Sequence, residues 1–224
     1  MIKLVEVQGK TSAQIKKGAY YRCFGNIALA RILSRVQSLI IKNGYELENM
    51  ITELTKDYHV KDLDDFLSRQ IMPAGIRLVT KPVIRKCKNI QGHGIEPDFM
   101  VFHHIGSSQM CYVVELKDGH EFDTKSSAKE HANLRQFIDK NANPLKYFQV
   151  YIKIVGFNAQ TPEEIRSGFK NKIDIDQAMT GQQFCELLDL NYSDMLETRA
   201  RDRESNFTNL VQAVLGIPEV QDIV

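Results

Sequence analysis

The chain has no tryptophan, no paired cysteines and no long apolar run, and each absence removes a class of protein. The longest apolar stretches, such as that around Leu39 to Ile41, are interrupted by Arg, Lys or Ser within a few positions. None approaches the roughly 20 apolar residues that a membrane span needs. Met1 to Glu6 holds no apolar run followed by a small-residue cleavage site, so no secretory signal is expected and a cytoplasmic location follows by elimination. Cys23, Cys87, Cys111 and Cys185 are widely dispersed without a CxxC pair, which argues against a zinc site and against a disulfide framework. No repeat, low-complexity segment or Pro/Gly/Ser-rich linker divides the 224 residues, so a single domain over 1–224 is expected.

Acidic residues are missing from two long stretches. Val7 to Tyr45 has none, against seven basic residues: Lys10, Lys16, Lys17, Arg22, Arg31, Arg35 and Lys42. Phe66 to Ile95 also has none, against Arg69, Arg77, Lys81, Arg85, Lys86 and Lys88. The formal net charge is only +1, so the rest of the chain is strongly acidic. Such asymmetry suits a protein with one face toward nucleic acid, or a pair of basic helix faces with no partner.

The first half reads as helical. Gly25 to Lys42 carries a 3.6-residue apolar stripe through Ile27, Leu29, Ala30, Leu33, Val36, Leu39 and Ile40, and Asn43-Gly44 is expected to end it. Tyr45 to Tyr58 reads as a second helix and Lys61 to Gln70 as a third, with Leu63, Phe66 and Leu67 inward. Ile76 to Ile84 is β-branched, and Pro82 makes it an edge or broken strand. Asp98 to His103 and Met110 to Lys117 are strand-like, with the turn signal Gly106-Ser107-Ser108 between them. A helix follows over Asp123 to Lys140, with Asp123 or Thr124 as N-cap, and then the strand Phe148 to Val155. Short helices are expected at Pro162 to Phe169 and Gln182 to Leu188, and a last one from about Ser193 to Leu215, closed by Gly216 and Pro218. The layout is α/β: a small mixed sheet flanked by helices, with further helices at both ends.

The informative segment is Ile95-Glu96-Pro97-Asp98-Phe99-Met100-Val101-Phe102, followed by Tyr112-Val113-Val114-Glu115-Leu116-Lys117. Glu115 and Lys117 are two apart on a strand and share a face. If the two strands pair as a hairpin, Asp98 joins them at one end of the sheet. Two hard carboxylates with the Leu116 carbonyl suit Mg²⁺, which keeps several waters and binds substrate phosphate. The ion would polarise a phosphoryl oxygen, and Lys117 would orient or deprotonate the attacking water and neutralise developing charge. A Glu-x-Lys triplet alone is common on solvated strand edges; Pro-Asp opening an apolar strand, a hairpin-sized gap and Glu-x-Lys closing the next strand are more specific together.

These motifs resemble the signature of the PD-(D/E)XK nuclease superfamily, and within it the chain looks like a type II restriction endonuclease. The resemblance covers roughly residues 45–157, with the restriction-endonuclease-like αβββαβ core, leaving a basic helical region at 1–44 and a helical region at 158–224. It implies Asp98 and Glu115 as metal ligands, Lys117 as the catalytic lysine, and Mg²⁺ as the cofactor. Many members add an acid from the helix before the first strand; Glu46, Glu48 and Glu53 compete for it, and Glu48 is favoured. The Gln-xxx-Tyr motif of some exonuclease-like branches is not matched, since Gln136 is followed four on by Lys140.

Other candidates carry less. His93, beside Gly92 and Gly94, either approaches the scissile phosphate or is a solvent-exposed loop residue. His103-His104 has no second ligand pair at zinc spacing, and Gly92 and Gly94 do not form a phosphate-cradling motif. Asp118-Gly119-His120 reads as a turn. The Glu197 to Glu204 stretch, with Arg199, Arg201, Asp202 and Arg203 interleaved, reads as a salt-bridged solvated face rather than a phosphate contact.

The expectation is therefore a site-specific endonuclease acting on double-stranded DNA as a homodimer, with a cognate DNA methyltransferase as its functional partner and no membrane. DNA contacts are expected from Lys81, Arg85, Lys86, Lys88 and His93, and from the Asn158 to Lys172 loop through Gln160, Arg166, Lys170, Asn171 and Lys172. The alternatives are a structure-specific repair or recombination nuclease of the same superfamily, and a non-catalytic DNA-binding module. The intact Asp98, Glu115 and Lys117 argue against the last.

Overall fold

In the computed structural model, residues 4, 7, 9–119, 124–201 and 203–223 are described, and for 124–128 only the backbone. The chain forms two compact units, one from Met1–Asn49 with Ser193–Val224, the other from Met50–Tyr192. The first is helical: α1 (Ser12–Lys16), α2 (Ala19–Phe24), the greater part of α3 (Ile27–Leu54), then at its carboxyl end α10 (Arg203–Leu215) and α11 (Pro218–Gln221), with most of α9 (Tyr192–Ala200). The second holds α4 (Leu63–Ser68), β1 (Gly75–Thr80), α5 (Lys81–Lys86), β2 (Phe99–Ile105), β3 (Ser108–Lys117), α6 (Thr124–Lys140), β4 (Gln149–Gly156), α7 (Pro162–Gly168), β5 (Ala178–Thr180) and α8 (Gly181–Leu187).

One five-stranded sheet in the order β1-β2-β3-β4-β5 organises the second unit. β1, β2 and β3 pair antiparallel, while β4 lies parallel to β3 and β5 parallel to β4. The β2–β3 hairpin closes tightly, with Ile105 opposite Ser108 and Gly106 at φ +59°, a conformation that glycine adopts without a Cβ penalty. The parallel β3–β4 pair needs a crossover, and α6 supplies it. This is the mixed sheet with flanking helices expected from the sequence.

Burial explains why the central strands are apolar without clean alternation. Met100 and Phe102 of β2 and Cys111 and Val113 of β3 face one core with Leu134 and Phe137 of α6, Phe66 of α4 and Phe148. Phe102 packs edge-to-face on Phe66 and Phe148 at centroid distances of 4.9 and 4.8 Å. The residues between them, Phe99, Val101 and Val114, are buried on the opposite face. A strand covered on both sides reads as a continuous hydrophobic run.

Four readings of the sequence need correction. Asn43-Gly44 does not stop a helix: α3 runs through it, because Leu39, Leu47 and Ile51 continue one buried stripe across the junction. Burial of that stripe outweighs the roughly 1 kcal/mol that a helical glycine costs. Pro82 does not break a strand so much as start a helix, since β1 ends at Thr80 and Pro82 sits in the first turn of α5, where its missing N–H is harmless. The last long helix is two, α9 and α10, and Pro218 opens α11 rather than only closing what precedes. In α9 Arg199 is buried, so the Glu197 to Glu204 segment is not the uniformly solvated face suggested by its alternating charges. The cap expected at Asp123, the turn residue His120 and Asp202 lie outside the described residues.

The four cysteines are free, with Cys23 exposed and the other three buried. Among the described residues no helix is long and apolar enough to cross a membrane.

Candidate active site

The antiparallel register that sets Phe99 opposite Val114 brings Asp98, one residue earlier, to the level of Glu115. Period-two alternation then places Asp98, Glu115 and Lys117 on the face that carries Met100, Phe102, Cys111 and Val113 into the core. The three polar residues extend that face past the end of the hydrophobic layer. The residues brought together by the sequence reading are together in the structure.

Asp98 is buried and both its oxygens are engaged. Oδ1 lies 3.0 Å from Lys81 Nζ, at the start of α5, and Oδ2 accepts from the Leu116 backbone N–H at 2.9 Å. The backbone N–H of Asp98 donates to the Val114 carbonyl at 3.0 Å, so main chain and side chain lock this residue to β3. In an extended strand the carbonyl of a residue leaves from the same edge as its N–H, so the Leu116 carbonyl also faces the β2 edge.

Lys117 reaches two carboxylates. Its Nζ donates to Glu115 Oε1 at 2.9 Å and lies 2.8 Å from Glu130 Oε2, on α6. Burial pushes the Glu115 carboxyl up to about 7; the charges of Asp98 and Glu130 push the same way, and Lys117 opposes them. Burial alone would pull the Lys117 ammonium down, but Glu115 and Glu130 more than offset it, and the net shift is upward. The lysine is held as a cation by the same carboxylates that crowd one another.

Glu130 was not anticipated. Its sequence signal is a carboxylate in line with an apolar helical stripe, since Leu134 and Phe137 follow at four and seven positions and are buried. A stripe position is normally apolar, so an acid there is either a misfit or a site residue.

A second pair of charges flanks the first. Glu96, with only 4% of its side chain exposed, lies 3.3 Å from Arg85 Nε and 3.4 Å from His93 Nδ1. Burial would raise its pKa, but hydrogen bonds from the backbone of Glu96 and Gly94, with Arg85, outweigh burial and lower it. Lys81 and Arg85 stand one turn apart on α5 and are gripped by Asp98 and Glu96, two apart in the chain. Lys86 and Lys88 are exposed, and His93 is 92% exposed. Gln160, Arg166, Lys170, Asn171 and Lys172 are all exposed around α7, and Lys170 and Asn171 both adopt positive φ, at 51° and 56°. Glu46 and Glu48 are half-buried on α3 and belong to the helical unit, whereas Glu53 lies exposed and paired with Lys56 at 3.1 Å.

The donor set fits a hard divalent cation. Asp98 and Glu115 face each other across the β2–β3 pair, and the Glu115 carboxyl, raised first by burial, is raised further by the charge of Asp98. Among the described residues no three acidic, histidine or cysteine side chains converge as a complete ligand cage. Mg²⁺ does not require one, because it is held by one or two carboxylates together with water and substrate phosphate.

No family model matches the chain, and no solved structure matches it. A type II restriction enzyme, HhaII of Haemophilus parahaemolyticus, is 35% identical over 209 residues, which span 91% of this chain and 90% of that protein. Similarity of that depth over nearly the whole of both chains leaves one conclusion. The chain belongs to the type II restriction enzymes.

Proposed function

We propose that the protein is a Mg²⁺-dependent endonuclease of the PD-(D/E)XK type, hydrolysing phosphodiester bonds at specific sites in double-stranded DNA. The observation that carries this reading is the meeting of Asp98, Glu115 and Lys117 on one face at the end of the β2–β3 pair, in a chain related to a type II restriction enzyme. Asp98 and Glu115 would hold the ion with the Leu116 carbonyl. A bound Mg²⁺ would supply Lewis-acid polarisation of the phosphoryl group and a more acidic water. Asp98 is pre-set for its role by the Leu116 N–H on Oδ2, while Oδ1 is paired with the ammonium of Lys81. Lys117 orients the attacking water and offsets the negative charge that builds on the phosphate oxygens.

DNA would be held by the exposed Lys86 and Lys88 and read from around α7 by Gln160, Arg166, Lys170, Asn171 and Lys172, whose side chains can pair with base edges or phosphates. A homodimer suits palindromic sites, each subunit cutting one strand. A methyltransferase of matching specificity would be its functional partner.

The test is incubation with unmethylated phage DNA and Mg²⁺, with Ca²⁺ and EDTA as controls. Discrete fragments with Mg²⁺ and none with EDTA are expected, while no cleavage with any divalent metal defeats the reading. Lys117→Ala should reduce cleavage by at least about 10²-fold while DNA retention in Ca²⁺ stays near that of the unaltered protein. Cleavage by Lys117→Ala at the original rate removes Lys117 from the chemistry.

A further inference from the structure

Lys117 has two carboxylate partners, and the proposed chemistry uses only Glu115. The two contacts differ in kind. Glu115 accepts an aligned hydrogen bond at 2.9 Å, whereas Glu130 Oε2, 2.8 Å from the same Nζ, is buried from water without an aligned donor. An oxygen left in that state is costly unless some arrangement of the site completes its bonding. The helix that carries it is fixed, because Glu130 shares a face of α6 with Leu134 and Phe137, which are packed into the sheet core.

A divalent cation would treat the two carboxylates differently. Glu115 lies opposite Asp98 and would turn its oxygens to the ion, loosening its hold on Lys117. Glu130 sits on α6, outside the β2–β3 pair that sets Asp98 opposite Glu115, and its oxygen lies against Lys117 instead. It stays on the lysine. An ammonium on a four-carbon stem has three donors and no fixed direction, so one anchored anion decides where it points.

We propose that Glu130 is a positioning residue that retains and aims Lys117 once a divalent cation has claimed Glu115. The inference rests on the reading of Glu115 as a ligand and Lys117 as the catalytic lysine. In the loaded site Lys117 swings fully onto Glu130 Oε2, which gains the aligned donor it lacks, and its remaining protons face the reacting phosphate.

Glu130→Gln and Glu130→Asp in the full-length protein test this. Three quantities are read: single-turnover cleavage of phage DNA with enzyme in excess, Mn²⁺ affinity of the protein alone by calorimetry, and DNA retention in Ca²⁺. A misaimed catalytic group costs about 10²-fold. Glu130→Gln is therefore expected to lose that much in cleavage rate, with Mn²⁺ affinity and DNA retention within about threefold of the original. Glu130→Asp, which keeps the charge on a shorter arm, should recover part of the rate. Wild-type cleavage by Glu130→Gln overturns the proposal, and so does a tenfold loss of Mn²⁺ affinity, which would make Glu130 a ligand. Should Glu130→Gln fail to fold, Glu130→Asp decides: a wild-type rate or a tenfold weaker Mn²⁺ site overturns the proposal, and a slower enzyme with normal Mn²⁺ affinity supports it. If the unaltered protein does not cut, or Lys117→Ala cuts, the proposed function fails. If the unaltered protein cuts, Lys117→Ala does not, and Glu130→Gln is unimpaired, only the positioning role fails.

Discussion

Glu115 is buried among charges of both signs, and burial is the larger influence on its titration. Its carboxyl has a folded-state pKa of about 7 against an ordinary 4.5, through burial first and then the charges of Asp98 and Glu130. Between these two values the folded state holds a proton that the unfolded state has released. Stability of the metal-free protein is then present below about 4.5 and lost as the pH rises toward 7. In EDTA, the melting temperature of the unaltered protein should fall across this window relative to Glu115→Gln, by roughly 2–4 °C per kcal/mol for a chain of this size. Parallel curves for the two proteins would show that the carboxyl is not strained. The readable part of the site was what local pattern encodes: Pro97-Asp98 opens one apolar run and Glu115-Leu116-Lys117 closes the next. Glu130 and Glu96 were not, because their roles depend on which elements fold against them.

At the scale of elements, close packing sets the tightest constraints. A Cβ on Gly181, the first residue of α8, would lie 2.1 Å from the Phe157 carbonyl oxygen, a backbone atom that cannot step aside. The φ of Gly181 is not in the left-handed region, so the demand is for space alone. Gly181→Ala should destabilise by about 1–3 kcal/mol, measured by chemical denaturation, and an unchanged midpoint would mean that α8 can shift off β4. Phe102, fully buried between Phe66 and Phe148, anchors the hairpin that carries the site. Phe102→Ala should cost about 3–5 kcal/mol, and a loss below 1 kcal/mol would mean that the core closes over the void. The alternating β4 and the β2–β3 hairpin, two apolar runs joined by a turn signal, were legible in advance. α3 and β5 were not: Asn43-Gly44 is locally a stop signal overridden by a continuing buried face, and Ala178–Thr180 is too short to show a period.

For the whole molecule, the net charge of +1 conceals the two acid-free stretches, and the structure disperses their basic residues among several tasks. Arg35 donates to the Leu4 and Val7 carbonyls, Arg31 to Ser12, and Arg69 pairs with Asp65. Lys86 and Lys88 remain exposed. If they touch phosphate, Lys86→Ala and Lys88→Ala should each weaken DNA binding evenly across sequences and reduce the salt slope of log K by about one. An unchanged slope would move the DNA face elsewhere. Sedimentation should give about twice the 25.6 kDa of one chain if the proposed dimer forms.

The sequence by itself determined the α/β class, the hairpin and the meeting of Asp98, Glu115 and Lys117 at one end of it, because apolar strand runs and turn chemistry are short-range properties written in neighbouring residues. Only the tertiary structure decided that Lys81 and Glu130 join them, that α3 is one helix and that Arg199 is buried. Those outcomes depend on contacts between residues distant in the chain. Lys81 lies 17 positions from the Asp98 that it pairs with, and no local pattern carries that distance.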